Sequence, residues 1–315
     1  MIPIHLKRTW FSILLIGVFA TAFGCAKAKE TQPIADRKIR VVATTGMVAD
    51  LATHIGGARV EVKALMGPGV DPHLYRASAG DVQTLSDADV VFYNGLHLEA
   101  KMGDVLEEMN QRILTVPVAE GISPEKLRSP KEFRGHPDPH VWFDVSMWAQ
   151  TIDQVRDALI KLDPTHRAEY DQRAEAYRAQ LNTLHQDILK KVSTLPSDQR
   201  VLVTAHDAFG YFGRAYGFEV LGLQGISTES EAGAKDVQRL ADFIAKRKIK
   251  AIFVESSVPR RNVEAVKAAV KSRGWDVKIG GQLFSDAMGS PGTPEGSYIG
   301  MVSFNVTLIV SALQR

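Results

Sequence analysis

The chain has 315 residues, 45% hydrophobic and 23% charged, which suits a soluble globular protein of two ordinary domains. Its formal charge is +2, but Lys7 and Arg8 fall in what reads as a leader, and without them 36 basic residues balance 36 acidic ones. A neutral chain has no electrostatic footprint for nucleic acid, so that class of partner is excluded.

In chain order, the basic pair precedes the apolar run TWFSILLIGVFATAFG, which ends in small residues before Cys25. The run is short for a membrane span and reads as a secretory signal over residues 1–24. AFGC resembles a bacterial lipobox, with Phe23 an unusual occupant. Cys25 is the only cysteine, so an exported product forms no internal disulfide, and lipidation is the better reading than a buried thiol. Residues 25–38 are polar and read as a flexible tether to a membrane surface.

From Ile39 onward, short β-branched runs alternate with helical patterns, the signature of parallel α/β layers. IRVVATT, VEVKALM, DVVFYNG and RILTVPV are predicted strands, giving four strand–helix repeats by about residue 160. The stretch from Asp163 to Pro196 then runs without glycine, and Tyr170, Tyr177, Leu181, Leu184, Ile188 and Val192 form an apolar stripe on one long helix. A helix of that length spans about 45 Å, enough to join two lobes. Four more strands follow in RVLVTAH, FEVLGLQ, KAIFVES and DVKIGG, and a last helix runs from about Gly296 to Leu313. The expected fold is two (β/α)4 lobes with parallel sheets joined by a long rigid helix. Its parts are an N-terminal lobe over 39–163, a linking helix over 164–195 and a C-terminal lobe over 196–315.

Ligands of open parallel sheets bind beyond the carboxyl ends of strands. His73 follows the second strand, His140 follows the fourth, and His206 ends the first strand of the second lobe. Asp286 lies in the loop after DVKIGG. Three imidazoles and a carboxylate, two from each lobe, suit a transition metal. His73 and His140 each end an Asp-Pro-His tripeptide, whose proline stiffens the loop and lowers the ordering entropy lost on binding. Any one of these histidines also has a structural reading as a hydrogen-bonded strand end, so the constellation carries the argument. Glu255, at a strand end, is a candidate to orient a ligand imidazole or else a buried hydrogen-bonded acid. His136 reads as an outer partner, a weak auxiliary ligand or a surface residue. His54, His97, His166 and His185 read as structural or surface residues.

The motifs GVDPHLY, DPHVWFD, TAHDAFGYFGRAYGFEVLGLQG, IFVESS and GGQLFSDAMG, in this order, resemble the TroA-like (cluster A-I) solute-binding lipoproteins of bacterial ABC importers. The resemblance covers nearly all of the chain after Ile39. It implies one Zn2+ or Mn2+ held between the lobes by His73, His140, His206 and Asp286. It also implies an ABC permease with its ATPase as partner, a monomer, and an exported, lipid-anchored location at the periplasm or cell surface. Residues 120–139 contain only His136, so the His-rich loop of many zinc-specific members is missing. The third position is His206, where manganese-dedicated members usually carry glutamate. Two other functions fit fewer features: a secreted metal-dependent hydrolase with an open zinc position, and a surface adhesin. Four protein ligands leave no position for catalytic water, and no general base or nucleophile motif is present, so the chain reads as a binder and not an enzyme.

Overall fold

The computed structural model describes residues 33–133 and 135–314; the leader and Cys25 lie outside the described residues. Ahead of the first strand, Ile34–Asp36 forms a 3-10 turn, and Arg37 pairs with Asp89 at 2.5 and 2.8 Å. The first lobe runs β1 (Ile39–Ala43), α1 (Gly46–Gly56), β2 (Val60–Ala64), α2 (Ala79–Ser86), β3 (Val90–Tyr93), α3 (Gly103–Asn110) and β4 (Leu114–Pro117). Two further helices, α4 (Val145–Trp148) and α5 (Ile152–Leu162), complete it. The strands form one parallel sheet in the order β2-β1-β3-β4. Strand β1, IRVVA, is apolar at all but one position because helices cover both faces of a parallel sheet. Helix α2 starts where Ser78 and Asp81 cap each other's backbone N–H groups.

Helix α6 (Arg167–Val192) has 26 residues, a length of about 39 Å. The predicted stripe is buried, with Ala174 added to it, while the rest of the surface is mostly polar, Leu189 being an exposed exception. Its start lies three residues later than the sequence suggests, because Pro164–His166 forms a 3-10 turn first. Asp163 anchors that turn, accepting hydrogen bonds from Thr165, Tyr170 and Arg59.

The second lobe runs β5 (Val201–His206), α7 (Gly210–Tyr216), β6 (Glu219–Gln224), α8 (Ala234–Arg247), β7 (Ala251–Glu255), α9 (Arg261–Lys271), β8 (Lys278–Leu283) and α10 (Tyr298–Gln314). Here the ladder is not continuous. Strands β5–β6 and β7–β8 form two parallel pairs, and β5 lies against β7 without a shared ladder among the described residues. Helix α10 packs against α6 and also reaches α1. One apolar core therefore runs from β1 through α6 to α10, and a second fills the space between β5, β7, α8 and α9. No helix among the described residues is long and apolar enough to cross a membrane.

Candidate metal centre

The two Asp-Pro-His tripeptides fold alike. Asp71 Oδ1 accepts the backbone N–H of His73 at 2.9 Å, and Asp138 Oδ1 accepts that of His140 at 3.0 Å. Each aspartate thus closes a tight turn around its proline and aims the following histidine. The outer face of Asp71 takes the Thr228 hydroxyl at 2.6 Å from the second lobe. Asp138 also lies 2.8 Å from His140 Nδ1 and receives Arg128 at 2.5 Å.

On the other side, His206 is the last residue of β5 and Glu255 the last of β7. Glu255 accepts the backbone N–H of His206 at 2.9 Å, and its second oxygen lies 2.5 Å from His206 Nδ1. Carboxylates only accept, so both Nδ1 atoms carry the proton and both Nε2 atoms are left to face inward. Gly222 lets β6 lie close to the turn after His206; a Cβ there would meet the Asp207 backbone nitrogen at 2.4 Å. Asp286 sits in the loop after β8. Asn305, buried on α10, fixes the start of that loop by accepting from the Phe284 N–H at 3.0 Å and donating to its carbonyl at 2.7 Å. Trp142 Nε1 donates to the Ser285 carbonyl at 3.1 Å, tying the first lobe to the same loop.

These supports bring the four predicted residues to one point. One ligand atom from each of His73, His140, His206 and Asp286 lies within 4.8 Å of the other three. His73 Nε2 is 3.3 Å from His140 Nε2, which is 3.4 Å from Asp286 Oδ1; His206 Nε2 is 3.2 Å from Asp286 Oδ2. A tetrahedron with metal bonds of 2.0–2.2 Å has edges of about 3.3–3.6 Å, so these separations match the first coordination sphere of an ion such as Zn2+. His206 Nε2 and Asp286 Oδ1 have no hydrogen-bond partner, although buried polar atoms are nearly always satisfied. A cation between them would satisfy both.

The electrostatics point the same way. Burial opposes ionisation of Asp286, but His206 and His140 beside it hold its carboxyl well below the usual carboxylate range. Burial likewise works against a charge on His140, yet Asp138 and Asp286 outweigh it and raise its pKa to about 9. His206 is likewise raised well above the usual imidazole range, against burial, by Asp286 and Glu255. Burial dominates at His73 and lowers its pKa to about 3.

Glu255 lies where the sequence suggests, against an imidazole. His136 does not join the four; it is exposed, and its ring stacks on His97 at 4.3 Å. Sequence reasoning missed Asn305 and Trp142. Asn305 carried a faint signal, as a polar residue within the apolar face of the last helix.

Comparison with known proteins places the chain. The profile of the family described as ZnuA, zinc-uptake complex component A, periplasmic, matches residues 41–312. The chain belongs to that family. Among its ZnuA-family relatives, zinc-binding protein TroA of Treponema pallidum (strain Nichols) is 53% identical over 312 residues, covering 98% of this chain and 99% of that one. Manganese-binding lipoprotein MntA of Bacillus subtilis (strain 168) is 48% identical over 309 residues, covering 98% and 100%. The solved structure of the periplasmic zinc-binding protein TroA from Treponema pallidum superposes with a TM-score of 0.86 at 55% identity, covering 88% of this chain and all of that one. The two-lobed fold with its long connecting helix is thus that of a ZnuA-family solute-binding protein.

Proposed function

We propose that this protein captures one divalent transition metal ion, zinc or manganese, outside the cytoplasm and delivers it to an ABC permease and its ATPase. His73, His140, His206 and Asp286 are the ligands in this reading. It is carried by one observation: four buried ligand atoms, two from each lobe, converge within 4.8 Å. Three imidazoles and one carboxylate favour zinc over manganese at equal availability by the Irving–Williams order. Four protein ligands give a closed site suited to holding an ion, not to catalysis, so the chain acts as a binder. The same reading divides it into lobes at 39–163 and 196–315 about the linking helix, and anchors a monomer to the membrane by a lipid on Cys25.

A competition titration of metal-stripped protein with Zn2+ and Mn2+ against chelators of known affinity tests this. One tight ion per chain, weakened in His206→Ala and Asp286→Ala, is the expected result. Undiminished binding by Asp286→Ala would refute the ligand set and favour a site with an open position.

A further inference from the structure

The four ligand side chains are between 0% and 2% exposed, so part of the chain must give way before an ion can enter or leave. The burial of their chain neighbours shows which part. Residues on both sides of His140 and Asp286 are buried, and His206 ends a strand that is buried throughout. His73 differs: Leu74 beside it is 49% exposed, and Gly67, Pro68 and Gly69 at the start of its loop lie at the surface.

His73 also differs in its support. Asp138 and Glu255 reach the Nδ1 atoms of His140 and His206, whereas no hydrogen bond reaches His73 Nδ1 among the described residues. The outer support of His73 comes only through its backbone, by the N–H that Asp71 accepts.

Asp71 in turn is gripped by the second lobe. Thr228, buried in the loop between β6 and α8, donates its hydroxyl to Asp71 Oδ2 at 2.6 Å. The next residue, Glu229, pairs at 3.0 Å with Lys101, on the turn before α3. Gly69 brings the His73 loop against the second lobe at another point. Its φ is 74°, and a Cβ there would meet the Ser256 carbonyl at 3.4 Å. The two side-chain grips are unequal. A bond from a buried hydroxyl to a carboxylate gains from the charge of its acceptor. Lys101 and Glu229 are 31% and 39% exposed, where screening by solvent leaves an ion pair little. The Thr228 bond is therefore the main hold.

We propose that Thr228 is a positioning residue which, acting through Asp71, latches the His73 loop over the ion and sets how fast the site opens. The proposal rests on the metal-capture reading above. Neither Thr228 nor Asp71 is one of the four ligands, so their bond contributes alike to the filled and the empty closed forms. Its loss then speeds entry and exit by the same factor and leaves affinity unchanged. Loss of a ligand instead lowers affinity, since it removes a bond made only in the filled form. The movement involves one loop, and the lobes need not turn about α6.

The test uses the full chain in detergent and Thr228→Val, which keeps the shape of the side chain and removes the hydroxyl. In a stopped-flow fluorimeter, Zn2+ loads metal-stripped protein and excess EDTA empties loaded protein. Trp142, whose ring lies 5.2 Å from that of His140, is the reporter. Both rates should rise by about tenfold or more, the factor expected for a hydrogen bond to a charged group, with affinity within about twofold of the parent. Thr228→Ser should restore the parental rates, and Lys101→Met should raise them by less than about fivefold. A second readout needs no metal: exchange of the His73 N–H in the stripped chain should speed by the same factor in Thr228→Val, while β1 stays protected. Parental rates or exchange in Thr228→Val, equal speeding in Thr228→Ser, a larger effect from Lys101→Met, or weaker binding without faster loading would each overturn the latch alone. Absence of any tight zinc in the parent would overturn the four-residue reading, and the exchange result would then still decide whether Thr228 holds the His73 loop.

Discussion

The two lobes each bring two residues to the proposed metal site, but by different means. In the first, the sheet is one continuous ladder and both histidines are aimed by an aspartate two residues earlier in the chain. In the second, the ladder is split, and each ligand is held from a distant element: His206 by Glu255, 49 residues away, and the Asp286 loop by Asn305. Local turns thus fix one half of the site, and tertiary packing fixes the other. The second half should respond to any change that loosens β7 or α10, while the first should tolerate loosening of its sheet.

The largest effect expected is on the half held by packing. Asp286→Ala should lower zinc affinity by more than about 100-fold, beyond the usual loss of an outer partner. Chelator competition reads this directly, and a loss below tenfold would put Asp286 outside the coordination sphere.

Proton competition comes next, and it contrasts the two histidines of the first lobe. Zinc must displace the proton that His140 keeps up to about pH 9, so affinity should fall as pH falls, about tenfold per unit for each proton displaced. The stability of metal-free protein should have the opposite slope over the same range. The raised pKa of His140 adds stability that is present below the unfolded value near 6.5 and lost as pH rises toward 9. His73, lowered to about 3, makes the unfolded chain the better proton binder between pH 3 and 6.5, so there stability rises with pH. Urea unfolding of the metal-free chain at pH 5, 6.5 and 8.5 should therefore show its maximum at the middle value if these two groups dominate. A monotonic trend would break the assignment of opposite roles to the two residues.

Removing an outer carboxylate should cost about 10–100-fold in affinity at either histidine. Glu255→Gln and Asp138→Asn separate the lobes in another way: each breaks a buried contact of the metal-free chain, but the first should lower its melting temperature more, because it also loosens the contact between β5 and β7. Equal melting shifts would mean that the split ladder is no weak seam. The last effect is read as stability and not as affinity: Asn305→Ala leaves the Phe284 N–H and carbonyl without partners at a cost of about 1–3 kcal/mol. Denaturant titration measures it, and zinc should restore part of the loss.

The same local-against-distant division governs what the amino-acid sequence reveals. Strand and helix order is readable because buried parallel strands such as IRVVA and VLVTAH are mostly apolar, β-branched runs. The Asp-Pro-His repeats expose His73 and His140, and the strand ends point to His206 and Glu255. The split between β5 and β7 leaves no trace, since a parallel strand has the same composition whether or not its neighbour completes a ladder. The short helix α4 is also hidden, as VSMW is a single turn of nearly all buried residues without periodicity. The contacts that seat Asp286 join residues across the fold, Trp142 to Ser285 and Asn305 to Phe284, and no window of sequence contains both partners.

The seven buried side chains of α6 carry one more consequence. A helix cannot bend sharply there without pulling that stripe from its core, so metal binding should change the outline of the chain little. Cargo then registers as stiffness: an ion that binds only the folded chain adds stability in proportion to the logarithm of its concentration. The empty chain should therefore be the softer of the two.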